Sequence, residues 1–334
     1  MAHTITLIPG DGIGPEVANA TRRVLEASGV KIEWEVQEAG AAIAEKRGTT
    51  LPDEVLTSIR RNKVALKGPI GTPIGKGFRS VNVTLRQALD LYANVRPIRS
   101  LPGIEPRFEG TDIVIVRENT EDLYAGLELM IMPGVAQSIK LITEKACTRI
   151  CEYAFDYAVK MQRKRVSVVH KANIMKLSDG LLLEAFRKVA LKYPRIEPYE
   201  IIVDACAMNM VRNANKLDVI VTENLYGDIL SDLGAGLVGG LGIVPGANIG
   251  LECAVFEAVH GTAPDIAGQG IANPTALIQS GVMMLHHLGE HAAATKIEKG
   301  LLATFESGVR TVDLGGQVGT EELTRILCEA IGRA

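Results

Sequence analysis

The sequence has few aromatic residues, few cysteines and no excess of positive charge, and the last two shortages argue against particular classes of protein. Aromatic residues make up 4% of the 334 residues, and 36 Lys and Arg face 39 Asp and Glu. The resulting net charge of −3 argues against nucleic-acid phosphate as the main partner. Hydrophobic residues at 47% and charged residues at 22% are typical of a soluble globular chain, which excludes disorder and collagen-like structure. The length indicates roughly two domains.

Membrane and secretory features are also missing. The one long uncharged stretch, residues 233–250, is broken by glycines and a proline, so we expect no membrane span. The five cysteines include no CxxC pair, and Cys147 and Cys151, four residues apart, suit buried packing on one helical face better than a zinc site. The N-terminal segment lacks the features of a signal peptide. These observations predict a cytoplasmic protein with reduced cysteines.

Strand-like and helix-like segments alternate along the chain, which predicts an α/β fold. The chain opens with a strand at residues 5–8, a glycine turn at residues 10–14 and a helix from Pro15. Helix-like stretches cover residues 81–92, 144–160 and 179–193. Further strand-like runs lie at residues 64–66, 113–116, 166–169, 201–203 and 219–221.

Residues 123–143 depart from this alternation. Two strand-like runs flank Met132, Pro133 and Gly134, which predicts a hairpin instead of a crossover helix. A hairpin arm that projects from an α/β body suits an oligomer contact, and an ordinary surface hairpin is the alternative.

The glycine turn is a weak indicator of function when taken alone. Gly10, Gly12 and Gly14 form G-x-G-x-G, which is not the G-x-G-x-x-G pattern of a dinucleotide-binding fold. A tight strand-to-helix turn explains the three glycines as well as a ligand loop does.

Three arginines are placed where carboxylates could be bound. Arg86 and Arg96 lie near predicted helix and strand ends, and Arg117 follows the strand at residues 113–116, at the edge where open α/β sheets bind ligands. Guanidinium groups suit bidentate capture of several carboxylates. Surface ion pairs are the alternative.

Acidic residues suggest a divalent cation. Asp228 and Asp232 are four residues apart at the start of a predicted helix, and Asp204 follows the strand at residues 201–203. Carboxylate oxygens at this spacing suit Mg²⁺ or Mn²⁺. The alternative is a helix N-terminal acid beside a solvated neighbour.

A lysine and a polar loop complete the candidate features. Lys171 follows the strand at residues 166–170, where it can act as a base or proton donor if its neighbours lower its pKa. Residues 257–273 form a polar, glycine-bearing loop, and long loops inside compact domains are usually functional.

Six ordered segments together carry a family resemblance that covers essentially the whole chain. The segments are IPGDGIGPE at 8–16, SVNVTLRQALDLYANVRP at 80–97, RENTEDLYAG at 117–126, HKANIMK at 170–176, NLYGDILSD at 224–232 and HGTAPDIAGQGIANP at 260–274. With these segments the chain resembles the β-decarboxylating dehydrogenases, which act on isocitrate, isopropylmalate, homoisocitrate or tartrate.

The resemblance implies the two-domain isopropylmalate/isocitrate dehydrogenase-like α/β fold, which is not a Rossmann fold. Residues 1–98 and 240–334 would form a large cofactor-binding domain, and residues 99–239 a small dimerisation domain. Residues 123–143 would be the clasp-like hairpin of a homodimer. Each active site would lie in the cleft between the domains and be shared between subunits, with Lys171 and Asp204 reaching into the neighbouring subunit's cleft, so that a monomer would be inactive.

The resemblance also implies roles for individual residues. The catalytic residues would be Tyr124, Lys171 and Asp228, and the ligands of Mg²⁺ or Mn²⁺ would be Asp204, Asp228 and Asp232. The substrate-binding residues would be Ser80, Asn82, Arg86, Arg96, Arg117 and Asn173. The cofactor-binding residues would be Ile13, Thr72, His260, Gly261, Thr262, Ala263, Asp265, Ile266 and Asn273.

Substrate and cofactor choice follow from the same comparison. Ser80 and Asn82 match the residues that hold the extra carboxylate in isocitrate enzymes, which predicts isocitrate as substrate and a place in the tricarboxylic acid cycle; homoisocitrate is the alternative. Asp265 and Ile266 stand where NADP-dependent relatives carry Lys and Tyr, which predicts NAD, unless Asp265 only caps the turn after Pro264. A non-catalytic regulatory subunit is a further alternative, although the catalytic residues are all present.

Overall fold

The computed structural model describes residues 2–71, 80–106 and 108–333. In these ranges strands and helices are interspersed along the chain, as expected of an α/β fold. The strands are β1 (His3–Ile8), β2 (Ile32–Val36), β3 (Val64–Lys67), β4 (Ala93–Arg99), β5 (Asp112–Glu118), β6 (Glu128–Met132), β7 (Val135–Ser138), β8 (Arg165–His170), β9 (Glu197–Ile202), β10 (Val219–Thr222), β11 (Pro245–Ile249) and β12 (Ala254–Ala258). The helices are α1 (Gly14–Ala27), α2 (Ala41–Arg47), α3 (Asp53–Asn62), α4 (Val81–Ala88), α5 (Glu144–Lys160), α6 (Ser178–Ala190), α7 (Val203–Asn213), α8 (Asn224–Val238), α9 (Thr275–His287), α10 (His291–Glu306) and α11 (Thr320–Arg333).

The first of two compact units contains Met1–Leu91, Ser100–Arg107 and Val238–Ala334. Its strands follow the order β2-β1-β3-β12-β11, with β11 antiparallel to β12 and the other pairs parallel. The apolar stripe of α1 is buried, and a second buried cluster packs α3 and α4 against β1, β3 and β12. The carboxyl ends of β1, β3 and β12 are thereby brought to one edge, next to the glycine turn and α4.

The second unit contains Tyr92–Arg99 and Phe108–Leu237. Its strands follow the order β4-β5-β10-β8-β9, and only β4 is antiparallel to its neighbour. The predicted domain boundaries differ from those of the two units. β4 pairs with β5 from Ala93 to Arg99 and therefore belongs to the second unit, whereas residues 100–107 belong to the first. The roles predicted for the two domains stay predictions.

The hairpin predicted within residues 123–143 is confirmed. β6 and β7 form a separate antiparallel pair with an irregularity between Met130 and Met132. The side chains of both strands are exposed, including several large apolar ones.

Three predicted element boundaries are wrong. The helix expected over residues 179–193 ends at Ala190. The helix expected over residues 81–92 ends at Ala88, because Leu89 leaves the helical region. Val203 begins α7 and does not continue β9, so Asp204 lies in the first helical turn, where a carboxylate interacts favourably with the helix dipole.

No helix within residues 2–71, 80–106 and 108–333 has the length and apolarity needed to cross a membrane. Residues 233–250 are divided among α8, a short 3₁₀ turn and β11. All five cysteines are free, and Cys147 and Cys151 are buried, as predicted.

Candidate active site

Three side chains of the second unit converge on Asp228, in the second turn of α8. The guanidinium of Arg117 donates to Asp228 Oδ1, and the hydroxyl of Tyr124 donates to Oδ2. Arg96 approaches Asp228 Oδ1 at 3.5 Å and also donates to the Ser231 hydroxyl. The structure thus brings together four residues that the sequence singled out from three separate segments.

The Arg117 side chain is held in place because it is 1% exposed and because its guanidinium donates further hydrogen bonds to Asn224. Its Nε and Nη2 lie 3.0 and 2.7 Å from Asn224 Oδ1. Gly227 makes room for it, since a Cβ at that position would lie 2.5 Å from Arg117 Cγ. The Arg117 guanidinium also lies 5.0 Å from the centre of the Tyr124 ring. Burial, and then the hydrogen bond to Asp228, raise the pKa of Tyr124, which keeps its phenol protonated.

Asp232 lies one turn beyond Asp228 on the same helix, where its carboxylate faces Arg96 at 3.6 Å. Desolvation raises the pKa of Asp232 against the opposing effect of Arg96. Two carboxylates on adjacent turns are the oxygen donors that a hard divalent cation needs. In the part of the chain that the structure describes, however, no three His, Cys, Asp or Glu side chains gather as a metal site, so the predicted trio is not assembled within one chain.

The third predicted ligand, Asp204, is paired with Lys171. Lys171 Nζ lies 2.7 Å from Asp204 Oδ1, and this hydrogen bond lowers the pKa of the Asp204 carboxyl. The backbone N–H of Lys171 donates to Asp179 Oδ2 at 2.6 Å, which fixes the loop that follows β8. Asn173, two residues beyond Lys171, is exposed.

The first unit joins the glycine turn to the polar loop. The Ile13 N–H donates to the Thr262 carbonyl at 3.0 Å. A Cβ on Gly12 would lie 2.1 Å from the same carbonyl oxygen, so the close approach requires glycine there. Ile13 and Thr262, both predicted to bind the cofactor, are therefore neighbours. The glycine turn serves two purposes, since it starts α1 and also supports the loop.

Some polar groups of the polar loop at residues 257–273 are hydrogen-bonded within the protein, and others are available to a ligand. His260 Nδ1 lies 3.0 Å from the Gly261 carbonyl, which can only accept, so Nδ1 is the donor. Burial lowers the pKa of the imidazole and favours the neutral form, in which Nε2 is an acceptor. This Nε2 is buried and has no hydrogen-bond partner among the described residues. The Asp265 side chain is exposed, with Ile266 next to it. Asn273 is engaged within the protein, because its amide donates to Asp313 and its oxygen accepts the Thr275 N–H, each at 3.0 Å.

The remaining predicted residues of the first unit surround α4. Ser80 is the residue before α4, and Asn82 lies in its first turn with a buried Oδ1 that has no partner among the described residues. Arg86, in the last turn, forms an ion pair with Glu257 at 3.0 Å. Thr72 lies outside the described residues.

The sequence alone does not single out several buried charged residues that support the predicted site residues. Lys67 and Glu257 form an ion pair at 2.6 Å, although each looks like an ordinary residue at a strand end. The carboxylate of Asp179 is fully buried and forms an ion pair with the Lys140 ammonium. The same ammonium also forms an ion pair with Glu223. Burial raises the pKa of Glu223 to about 8 even though Lys140 opposes the shift. An acid or lysine at the carboxyl end of an apolar strand is the one sequence feature that could have found Lys67, Glu257 and Glu223.

A family model described as isocitrate/isopropylmalate dehydrogenase matches residues 4–330. The chain belongs to this family. It is therefore an oxidoreductase of known fold, and the sequence resemblance is confirmed.

Three curated relatives and one solved structure show how similar the chain is. A catalytic subunit of NAD isocitrate dehydrogenase from Arabidopsis thaliana is 53% identical, over 98% of this chain and 88% of the relative. A regulatory subunit of NAD isocitrate dehydrogenase from Dictyostelium discoideum is 50% identical over 98% and 93%. A 3-isopropylmalate dehydrogenase from Solanum tuberosum is 52% identical over 91% and 85%. The crystal structure of isocitrate dehydrogenase from Methylococcus capsulatus superposes with a TM-score of 0.96 at 53% identity and covers 99% of both chains.

The expected cytoplasmic location is wrong. The isocitrate dehydrogenase relatives from Arabidopsis thaliana, Drosophila melanogaster and Bos taurus are all named as mitochondrial proteins. Unpaired cysteines, on which the expectation rested, do not distinguish one reducing compartment from another.

Proposed function

We propose that the chain is an NAD-dependent isocitrate dehydrogenase that converts isocitrate to 2-oxoglutarate and CO₂ with the help of a divalent metal ion. The observation that carries the proposal is the convergence of Arg96, Arg117 and Tyr124 on Asp228, because this cluster combines carboxylate binding, an acid and a metal ligand. Relatives named as NAD isocitrate dehydrogenases support it.

The residues of the second unit fit a divalent cation. Asp228 and Asp232 would hold it from one chain, and Asp204 would complete the set from a second copy. When bound, the ion would lower the pKa of the substrate hydroxyl and stabilise negative charge that develops on CO₂ loss. Arg96 and Arg117 would hold substrate carboxylates through charge-assisted hydrogen bonds.

Two side chains would move protons. The Tyr124 phenol, whose pKa is raised by burial, is an acid able to protonate the substrate carbon after decarboxylation. Lys171 would help to remove the hydroxyl proton, and its ion pair with Asp204 and the backbone bond to Asp179 keep its loop in place. Asn173, on the same loop, would contact substrate.

The polar loop fits a nicotinamide dinucleotide. The close approach of Gly12 to Thr262 and the unpartnered Nε2 of His260 are consistent with a loop built to contact a ligand. NAD supplies hydride acceptance when bound. Asp265 would accept hydrogen bonds from the ribose hydroxyls and repel a 2′-phosphate, so NADP is disfavoured. Ile13, Gly261, Ala263, Ile266, Asn273 and Thr72 complete the proposed cofactor set.

Isocitrate is favoured over isopropylmalate by the start of α4. Ser80 and Asn82 are polar, and the buried Oδ1 of Asn82 has no partner among the described residues. A polar site rejects an apolar analogue strongly, because its hydrogen-bonding groups are left unpaired. Homoisocitrate has the same carboxylates and remains the second candidate.

We also propose a homodimer with shared active sites. The hairpin of β6 and β7 exposes Leu129, Met130, Ile131 and Met132, an apolar surface that suits a second copy. Lys171 and Asp204 would then serve the partner's site.

Two measurements on purified protein test the proposal. The chain alone should form NADH from isocitrate with Mg²⁺, and EDTA should abolish this activity until metal is restored. The variant with both Ser80→Leu and Asn82→Leu should lose isocitrate kcat/KM by about 100-fold or more, since the third carboxylate loses its partners. Full activity after EDTA treatment would contradict the metal requirement. A chain without any turnover, such as a regulatory subunit, would contradict the catalytic proposal.

A further inference from the structure

Four side chains of the first unit form a buried polar cluster that links α4 to β3, β11 and β12. Lys67 and Glu257 are register partners on parallel strands, and Lys67 Nζ lies 2.6 Å from Glu257 Oε2. Arg86 Nη2 lies 3.0 Å from Glu257 Oε1. Asn248 Nδ2 donates to the same Oε1 at 2.7 Å. Glu257 is therefore the centre of the cluster, because each of the other three side chains contacts it.

The cluster carries two positive charges and one negative charge in a buried setting. Lys67 is 2%, Glu257 6% and Arg86 7% exposed. Burial alone would raise the pKa of Glu257, but Lys67 and Arg86 outweigh it and hold the pKa well below its usual range. In the part of the chain that the structure describes, no second carboxylate contacts either cation. One positive charge is therefore left to balance an anion from outside the cluster.

The guanidinium of Arg86 is anchored at one end only. Its Nη2 is bound by Glu257, whereas Nε is buried and has no hydrogen-bond partner among the described residues. An arginine has five N–H donors in a fixed planar arrangement, so fixing one nitrogen fixes the direction of the others. The remaining donors are the ones that a carboxylate could use.

We propose that Glu257 is a positioning residue that fixes the guanidinium of Arg86 for a substrate carboxylate, while Lys67 and Asn248 hold Glu257 in place. The inference rests on the proposed function, which gives Arg86 its substrate. Glu257 acts through Arg86 and does not itself contact the substrate carboxylate, because like charges repel.

A double-mutant cycle tests this role through kcat and KM for isocitrate at saturating NAD. Arg86→Gln should lower kcat/KM by about 10- to 100-fold, the loss expected for a charge-assisted hydrogen bond. Glu257→Gln should lower it about tenfold, mainly through KM, with the KM for NAD unchanged. In the Arg86→Gln background, Glu257→Gln should add less than about threefold, because its effect passes through Arg86. The proposal is overturned if the effects of the two substitutions on kcat/KM multiply in the double variant. It is also overturned if the Glu257→Gln enzyme has wild-type kinetics.

Controls separate positioning from general loss of structure. Glu252→Gln removes an exposed carboxylate that precedes β12 and is paired with Lys63 at 3.3 Å, and it should leave the kinetics at wild-type values. Thermal unfolding confirms that each variant is folded. If Glu257→Gln does not fold, Glu257→Asp replaces it in the cycle, since it keeps the charge and withdraws the carboxylate by one methylene. If the wild type uses another 2-hydroxy acid, the proposed function fails, and the cycle is run with that substrate to decide the role of Glu257 separately.

Discussion

Gly227 is the residue that allows the Asp228 cluster to form. A methyl group there would lie 2.5 Å from Arg117 Cγ, and Arg117 cannot easily yield because Asn224 and Asp228 hold its guanidinium. Only glycine at this position therefore leaves enough room for the Arg117 side chain.

Gly227→Ala should therefore displace Arg117 and lower isocitrate kcat/KM by about 100-fold, as expected for a misplaced binding group. Gly236→Ala on the same helix is the matched control, because a methyl group at that position would meet no described atom within 4 Å. That control should keep full activity and gain stability, by about 0.5–1 kcal/mol. Steady-state kinetics and thermal unfolding of both variants check the prediction, which equal kinetics for the two would contradict.

Asp265 is the residue that we propose to determine the choice of cofactor. Its exposed carboxylate would repel the 2′-phosphate of NADP, so the wild type should prefer NAD strongly. The variant with Asp265→Lys and Ile266→Tyr should shift the ratio of kcat/KM values toward NADP by about tenfold or more. Equal kcat/KM for both cofactors in the wild type would show that Asp265 only stabilises its turn.

At the scale of elements, β2 and α3 are joined by a surface carboxylate. Glu35 on β2 accepts hydrogen bonds from Arg61 and from Asn62 Nδ2 at the end of α3, the latter at 2.8 Å. The bond from Arg61, and then that from Asn62, lower the pKa of Glu35 to about 2.

The lowered pKa predicts a stability change in acid. In an unfolded chain the pKa of Glu is about 4.3. The contribution of Glu35 is therefore complete above that pH and is lost as the pH falls toward 2. Glu35→Gln should destabilise the protein slightly at pH 7, by under about 1 kcal/mol, and should flatten the decline in stability below pH 4. Urea unfolding from pH 2 to 7 measures both, and parallel declines for the two proteins would contradict the assignment.

Local sequence patterns predicted most elements, because apolar periodicity and glycine turns act over short distances. They failed at Asp204, where the strand passes directly into α7 without a turn residue. They placed Arg96, Arg117, Tyr124 and Asp228 in three separate motifs, and the order of strands brings these residues together. The sequence does not identify Glu257 as a positioning group, because its partners Lys67 and Arg86 lie far from it along the chain. Pairing of β3 with β12 brings Lys67 to Glu257, and packing of α4 against these strands brings Arg86.

At the scale of the whole molecule, the hairpin of β6 and β7 is the proposed contact between two copies. Ile131, one of the exposed apolar residues of β6, is 53% exposed in the single chain. Ile131→Asp would bury an unpaired charge in the dimer and should weaken association by about 2 kcal/mol or more. Light scattering should show monomers at low concentration, and activity should fall with the dimer, since Lys171 and Asp204 serve the partner. Leu191→Asp, at an exposed apolar side chain elsewhere in the same unit, is the control and should stay dimeric and active. An active monomer of the Ile131→Asp variant would contradict the shared site.

The most direct test of the account is the initial rate of the purified chain on isocitrate, homoisocitrate, isopropylmalate and tartrate, each with Mg²⁺ and either NAD or NADP. The geometry around Asp228, the polar start of α4 and the carboxylate of Asp265 together predict the highest kcat/KM for isocitrate with NAD. That reaction should release 2-oxoglutarate and CO₂ in equal amounts with NADH. A higher kcat/KM for isopropylmalate, or turnover with none of the four acids, would contradict it.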